Sequence, residues 1–262
     1  MSDFSDLRAR VTSGVVLAVV GLGAVWLGGP VFAALALALA GLMGWELHRM
    51  LVPDAPDGRA EATGVVAAVL VGVFTFWQAG WIVLAGLALG AAVMAVRMPR
   101  DRVLFGLYFT LILWAAHALI VLRAGFGLTF VLWLLLIVIA SDVAGYFAGR
   151  ILGGPKFWPR VSPKKTWSGT AAGWLLAGVV GFAFMDALGT GWVIVPVSAV
   201  LAFAGQMGDI AESAIKRHRG VKDSSHLIPG HGGFLDRFDA MIAVAALALV
   251  LAYLGVFAGL AG

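Results

Sequence analysis

The chain is 262 residues long, 61% hydrophobic and only 12% charged, and it contains no cysteine. Soluble domains run at about 45–50% apolar and about 25% charged residues, so that class is excluded, and the missing thiols exclude a disulfide framework, a thiolate metal site and a cysteine nucleophile. The 35 glycines sit among Leu, Val, Ala and Trp without a Gly-X-Y period, which excludes collagen and disorder, and the net charge of +4 implies a partner only once it is placed on a topology.

A helix needs about 20 apolar residues to cross a hydrocarbon core, because backbone polar groups in lipid are satisfied only internally. Nine runs meet this in chain order: 11–27, 31–50, 63–78, 80–97, 103–122, 128–149, 168–187, 191–210 and 237–260. The third and fourth are short and meet at Gly80, which also suits a re-entrant pair. The expected fold class is all-α, a polytopic membrane bundle of about nine transmembrane helices with a cytoplasmic N-terminus. Residues 1–122 supply helices alone, whereas 123–262 add polar cytoplasmic loops at 150–167 and 209–237.

Orientation follows from the basic residues. On this topology only Arg123 among the 18 Lys and Arg lies outside. Cytoplasmic loops retain positive charge, and one helix more or fewer would invert every later loop. The basic balance is therefore topology, and nucleic acid is excluded as a partner. Arg8 and Arg10 precede the first run as in a secretory signal, but no small-residue cleavage site follows, so a retained helix is expected.

Further along, Glu46 beside His48 and Arg49 reads as local pairing at a helix end. Gly86/Gly90, Gly145/Gly149 and Gly169/Gly173 have the spacing that lets helices approach closely, a weak signal in a chain so rich in Gly and Ala. Pro196 is expected to kink the eighth span. Asp142 lies in the inner half of the sixth span and needs a partner, either a lysine of the next loop or a metal. That loop contains Ser162-Pro163-Lys164-Lys165-Thr166-Trp167, two lysines in a turn. They read equally as a positive-inside anchor with an interfacial Trp or as a clamp for phosphate.

The second polar stretch begins at Asp209, a carboxylate still at membrane depth and so a functional candidate. Asp209, Glu212 and Ser213 share a helix face. The loop from Lys222 to Asp239 holds Pro229-Gly230 and Gly232-Gly233, turn formers that let backbone N–H groups approach a ligand. Asp236 and Asp239 follow on the first turn of a helix, where one Asp is ordinary capping. Two on one face beside a glycine-rich turn favour a divalent metal, and magnesium takes one or two carboxylates plus substrate phosphates. His226 and His231 stay open between phosphate donors, acid–base groups and loop-ordering contacts. Zinc is disfavoured, because no His pair has helix-ligand spacing.

Ser213-Ala214-Ile215-Lys216-Arg217, Lys222-Asp223, Ser225 and Leu227-Ile228-Pro229-Gly230-His231-Gly232-Gly233-Phe234-Leu235-Asp236-Arg237-Phe238-Asp239 together resemble the long signature of the phosphatidate cytidylyltransferases, or CDP-diacylglycerol synthases. Gly208-Asp209, Glu212-Ser213, Ser141-Asp142 and the Ser162–Trp167 segment support the resemblance, which is detailed only in the C-terminal half. One departure is Ser168, where the family usually carries Glu. The resemblance implies an integral enzyme, homodimeric, of the plasma membrane, converting CTP and phosphatidate to CDP-diacylglycerol and pyrophosphate on the cytoplasmic face. It implies magnesium on Asp209, Asp236 and Asp239, with a second, monovalent cation such as potassium nearby.

The expected chemistry is attack of the lipid phosphate on the CTP α-phosphorus, with Asp209, Asp236, Asp239, Lys222 and His231 as the candidate catalytic group. Lys164, Lys165, Ser213, Lys216, Arg217, Gly232, Gly233 and Arg237 are the candidate substrate-binding group. A secondary transporter also suits buried carboxylates, but the polar residues cluster on one face and no inverted repeat is visible. An alcohol phosphotransferase lacks its Asp-Gly-x-x-Ala-Arg core, since Asp57-Gly58-Arg59 does not continue correctly. A lipid or polyprenol kinase is the remote alternative.

Overall fold

The computed structural model describes residues 2–77 and 80–258, with the backbone alone for 2–9. The Arg8 side chain, Gln78 at the end of the third expected span and residues 259–260 of the ninth lie outside the described residues. The helices are α1 (Ser2–Leu27), α2 (Gly29–Leu51), α3 (Arg59–Trp77), α4 (Trp81–Val96), α5 (Arg102–Ile151), α6 (Trp167–Phe184), α7 (Ile194–His218) and α8 (Leu235–Tyr253). A two-stranded antiparallel hairpin, β1 (Lys156–Trp158) and β2 (Ser162–Thr166), precedes α6. The chain is thus all-α apart from this hairpin, which replaces the turn expected around Lys164 and Lys165.

The count of nine spans does not hold. Among the described residues, six helices are long and apolar enough to cross a membrane, and α4 is a shorter apolar helix. The two spans expected over 103–122 and 128–149 both lie in α5, as two helices that meet where Gly127 leaves helical geometry at φ 79 and ψ −169. A side chain at that φ would be strained, so glycine is what permits the break. The last helix, α8, begins with Asp236, Arg237 and Asp239, which dilute its apolar run. Pro196 does not kink its helix either. It falls in the first turn of α7, where its missing N–H is not needed.

Exposed Val19, Trp26, Trp77, Ile82, Leu175 and Trp192 belong to an apolar surface that water would not tolerate. The chain is an integral membrane protein with several apolar helices.

The fold divides into two compact units, Met1–Ala124 with Ile215–Phe238, and Gly125–Ala214 with Asp239–Gly262. In the first, α2 and α3 meet backbone to backbone: a Cβ on Gly64 would lie 2.7 Å from the Gly41 carbonyl oxygen. Phe105 and Phe109 stack at 4.9 Å between centroids in the core. Arg123, the one basic residue expected outside, donates to the carbonyls of Val25 at 2.9 Å and Trp26 at 3.2 Å, satisfying acceptors that the end of α1 leaves open.

In the second unit Gly145 and Gly169 do bring helices together, since a Cβ on Gly169 would lie 2.5 Å from the Gly145 carbonyl. A Cβ on Gly208 would meet the Asp239 carbonyl oxygen, so α7 and α8 cross equally tightly. Trp133 is fully buried against Phe130 and Phe257, and its indole N–H donates to Ser198 at 3.0 Å.

Candidate active site

In the second unit a cavity of about 570 Å³ is lined by Asp142, Arg150, Lys164, Lys165, Gln206 and Asp209, among others. The hairpin delivers its lysines. Thr166 ends β2 and caps α6 by accepting from the Gly169 N–H at 3.2 Å, which fixes the strand against the helix start. Ser168 donates to the Gly153 carbonyl and ties the same helix to the segment before β1. Lys165 then reaches Asp209 at 2.7 Å and the Gln206 carbonyl at 3.3 Å.

Gln206 is buried, and its amide donates to Ser141 at 3.1 Å and the Thr170 carbonyl at 3.2 Å while accepting from Trp174 at 2.9 Å. One side chain therefore joins α5, α6 and α7 at the cavity. Ser213 donates to Asp209 at 3.4 Å. Asp142, for which a lysine or a metal was the expected partner, lines the same cavity as Lys164 and Lys165. Asp239 accepts from the Ala240 N–H at 2.7 Å, at the top of the portion of α8 in this unit.

The first unit holds the glycine-rich loop. Asp236 Oδ2 accepts from the Ser224 N–H at 2.8 Å, the Ser224 hydroxyl at 2.9 Å and the Gly233 N–H at 2.8 Å, while Oδ1 takes Lys216 at 2.7 Å. Gly232 sits at φ 80, and a Cβ there would lie 2.8 Å from Asp236 Oδ2, so both its conformation and its neighbour demand glycine. His231 Nδ1 lies 2.9 Å from the Ser13 hydroxyl, which also donates to the Pro229 carbonyl at 2.9 Å. Among the open readings for His231, the contact observed is the loop-ordering one. Arg237 donates to the His231 carbonyl at 3.0 Å. Arg217 and Lys222 are exposed, and the geometry gives them no fixed place in this network.

Residues 8–255 match the cytidylyltransferase family, which is nearly the whole chain. This chain belongs to the cytidylyltransferase family. Phosphatidate cytidylyltransferases of Brucella suis biovar 1 and Brucella abortus biovar 1 are 36% and 35% identical to it over 252 residues, covering 93% of this chain and 92% of theirs. The phosphatidate cytidylyltransferase of Staphylococcus aureus (strain COL) is 41% identical over 128 residues, 48% of this chain and 49% of that protein. As a cytidylyltransferase family member the chain is a nucleotidyltransferase, and the transporter, alcohol phosphotransferase and kinase readings fall away.

How a cytidylyltransferase of this sequence could hold a metal depends on which carboxylates have lone pairs to offer. Among the described residues no three of His, Cys, Asp and Glu are grouped to hold a metal ion. Asp209 fits the role individually: its side chain is 37% exposed, it borders the cavity, and its strong partner is a lysine that an incoming cation can replace. Asp236 is 4% exposed and surrounded by donors on both oxygens, so ligation there requires Lys216 to let go.

Sequence reasoning missed Glu46, Ser13 and Gln206. Glu46 does not pair locally. Its buried carboxylate accepts from Ser225, Phe234 and Leu235, far along the chain. Its position inside an apolar run was the available signal, since an ionisable group there is costly. His48, its supposed neighbour in pairing, lies 2.7 Å from Thr63 instead.

Proposed function

We propose that the chain is a phosphatidate cytidylyltransferase of a bacterial plasma membrane, acting as a homodimer with its site on the cytoplasmic face. The observation that carries this reading is the match over nearly the full length of named phosphatidate cytidylyltransferases, with the glycine-rich signature intact. The cytoplasmic face is proposed from the concentration of Lys and Arg in each polar stretch, 150–167 and 209–237, and the lysine-lined cavity of the second unit supplies charge suited to phosphate.

In this reaction a phosphate oxygen of phosphatidate forms a bond to the α-phosphorus of CTP, the α–β bridging P–O bond breaks, and pyrophosphate leaves with the electron pair. The nucleophile is already anionic, so no strong general base is required, and positioning with charge neutralisation carries the rate. Lys164 and Lys165 bind nucleotide phosphates from β2, with Arg150 at the same cavity. Lys216, Arg217, Lys222 and Arg237 of the first unit are the further candidates for neutralising phosphate charge, and Gly232 and Gly233 are the candidates for substrate binding in its glycine-rich loop. Ser213 orients Asp209. His231 orders the loop through Ser13.

Assignment of magnesium to Asp209, Asp236 and Asp239, and of a monovalent cation beside it, rests on the signature. Geometry within the second unit favours Asp209 as the accessible ligand. When bound, magnesium screens the triphosphate and stabilises the leaving pyrophosphate.

The test is a detergent assay with phosphatidate and CTP labelled at the α-phosphate, with and without chelator. Label should appear in a lipid product and vanish on chelation. Absence of labelled lipid from folded protein with both substrates and magnesium would refute the reading, and transfer from the γ-position instead would indicate a kinase.

A further inference from the structure

Glu46 belongs to α2, in the first unit, and is completely buried. Burying a carboxylate is costly unless its oxygens are well supplied with donors. Here they are. Oε1 accepts from the Ser225 hydroxyl at 2.6 Å and the Phe234 N–H at 2.9 Å, and Oε2 accepts from the Leu235 N–H at 2.7 Å. The Ser224 hydroxyl lies 3.4 Å from Oε2 but 2.9 Å from Asp236 Oδ2, so its single proton goes to the aspartate.

These donors are not scattered. Leu235 is the first residue of α8, so a glutamate from another helix supplies the acceptor that an N-cap residue ordinarily provides, and places negative charge at the helix start. Ser224, Ser225, Phe234 and Leu235 bracket the glycine-rich turn at both ends. The socket of Asp236 is built beside them, from the Ser224 and Gly233 N–H groups, each one residue away from a Glu46 donor. Gly233 has no room for a Cβ, which would strike Ser224 and Glu46.

We infer that Glu46 is a positioning residue for nucleotidyl transfer: from a membrane helix it closes the signature loop and sets the place of Asp236 and Lys216 without touching substrate. The inference rests on the cytidylyltransferase reading for its kinetic consequence. Its structural consequence stands apart from that reading, because the loop is held by Glu46 whatever it binds.

Glu46→Gln keeps the shape but turns one acceptor into a donor that faces an N–H, whereas Glu46→Asp keeps both acceptors on a shorter arm. Thr63→Val is the control. It removes the buried contact with His48 between α2 and α3 and leaves the loop alone. The full chain in detergent is assayed for kcat and KM with CTP, for its melting midpoint, and for amide hydrogen exchange over 222–238.

Glu46→Gln is expected to lower kcat by about 10- to 100-fold with KM for CTP within about threefold, as when a group that orients a reacting residue is lost. Exchange at Phe234 and Leu235 should quicken, Glu46→Asp should regain part of kcat, and Thr63→Val should lower the midpoint while keeping kcat. If Glu46→Gln is not recovered folded, Ser225→Ala, which removes the 2.6 Å donor, should show the same split at smaller amplitude. Wild-type kcat and wild-type exchange in either variant would overturn the inference, as would a kcat loss matched by Thr63→Val at equal loss of stability. Failure of the wild-type chain to label lipid would sink the cytidylyltransferase reading instead, and the exchange measurement would still decide the role of Glu46.

Discussion

Lys165 on Asp209 and Lys216 on Asp236 form the same 2.7 Å ion pair in the two units, yet one aspartate side chain is 37% exposed and the other 4%. Asp209 borders a cavity and has Ser213 as its other donor, whereas Asp236 receives three further hydrogen bonds from the loop that surrounds it. An exposed pair gains little net stability, because water solvates both partners almost as well. A buried pair contributes mainly by preventing an uncompensated charge, and losing one member is severe. Residue type and partner are the same in both places. Solvent access leaves Asp209 the more open of the two carboxylates, while Asp236 is already engaged by its loop and by Lys216.

Asp236→Asn should have the largest effect. It removes the charge facing Lys216 and sets an amide against the Ser224 and Gly233 N–H groups, costing about 3–5 kcal/mol of stability. Thermal melting in detergent should drop steeply and turnover should go with it. A wild-type midpoint would dissolve the distinction between the two aspartates.

Asp209→Asn should instead fold and melt like the wild type while turnover falls on the order of 100- to 1000-fold, the scale for a group acting on transition-state charge. Lys165→Met should raise KM for CTP about tenfold, in line with loss of one charge-assisted phosphate contact, and steady-state kinetics over a CTP series will show it. Gly232→Ala sharpens the contrast from the loop side. With φ at 80 and a Cβ 2.8 Å from Asp236 Oδ2, it should cost about 1–2 kcal/mol in chemical unfolding. Ser168→Ala should be mildest, at about 1 kcal/mol with turnover kept, since only neutral hydrogen bonds, to the Gly153 carbonyl and with the Thr166 hydroxyl, are at stake.

Local features of the fold were legible in the sequence. Apolar run length located the helical segments, and Gly127 fell where one expected span ended and the next began. The count of nine failed elsewhere, because the run at 80–97 makes only a short helix and the run at 237–260 starts from a turn carrying Asp236, Arg237 and Asp239, and hydropathy alone does not fix where a helix starts or stops. The loop residues of the signature were visible as a group because they are close in sequence. What joins them was hidden, since Glu46 and Ser13 come from helices about two hundred residues earlier and no periodicity reports such a contact. Asp209 stood out through its place at membrane depth, but its pairing with Lys165 depends on a hairpin that strands of three and five residues do not advertise.

Transfer of α-phosphate label from CTP to phosphatidate, measured side by side for wild type and for Asp209→Asn of matched melting midpoint, tests the central claim most directly. The account predicts chelator-sensitive labelled lipid from the wild type and about 1% of that rate or less from the variant. Labelled lipid at the wild-type rate from Asp209→Asn would contradict it.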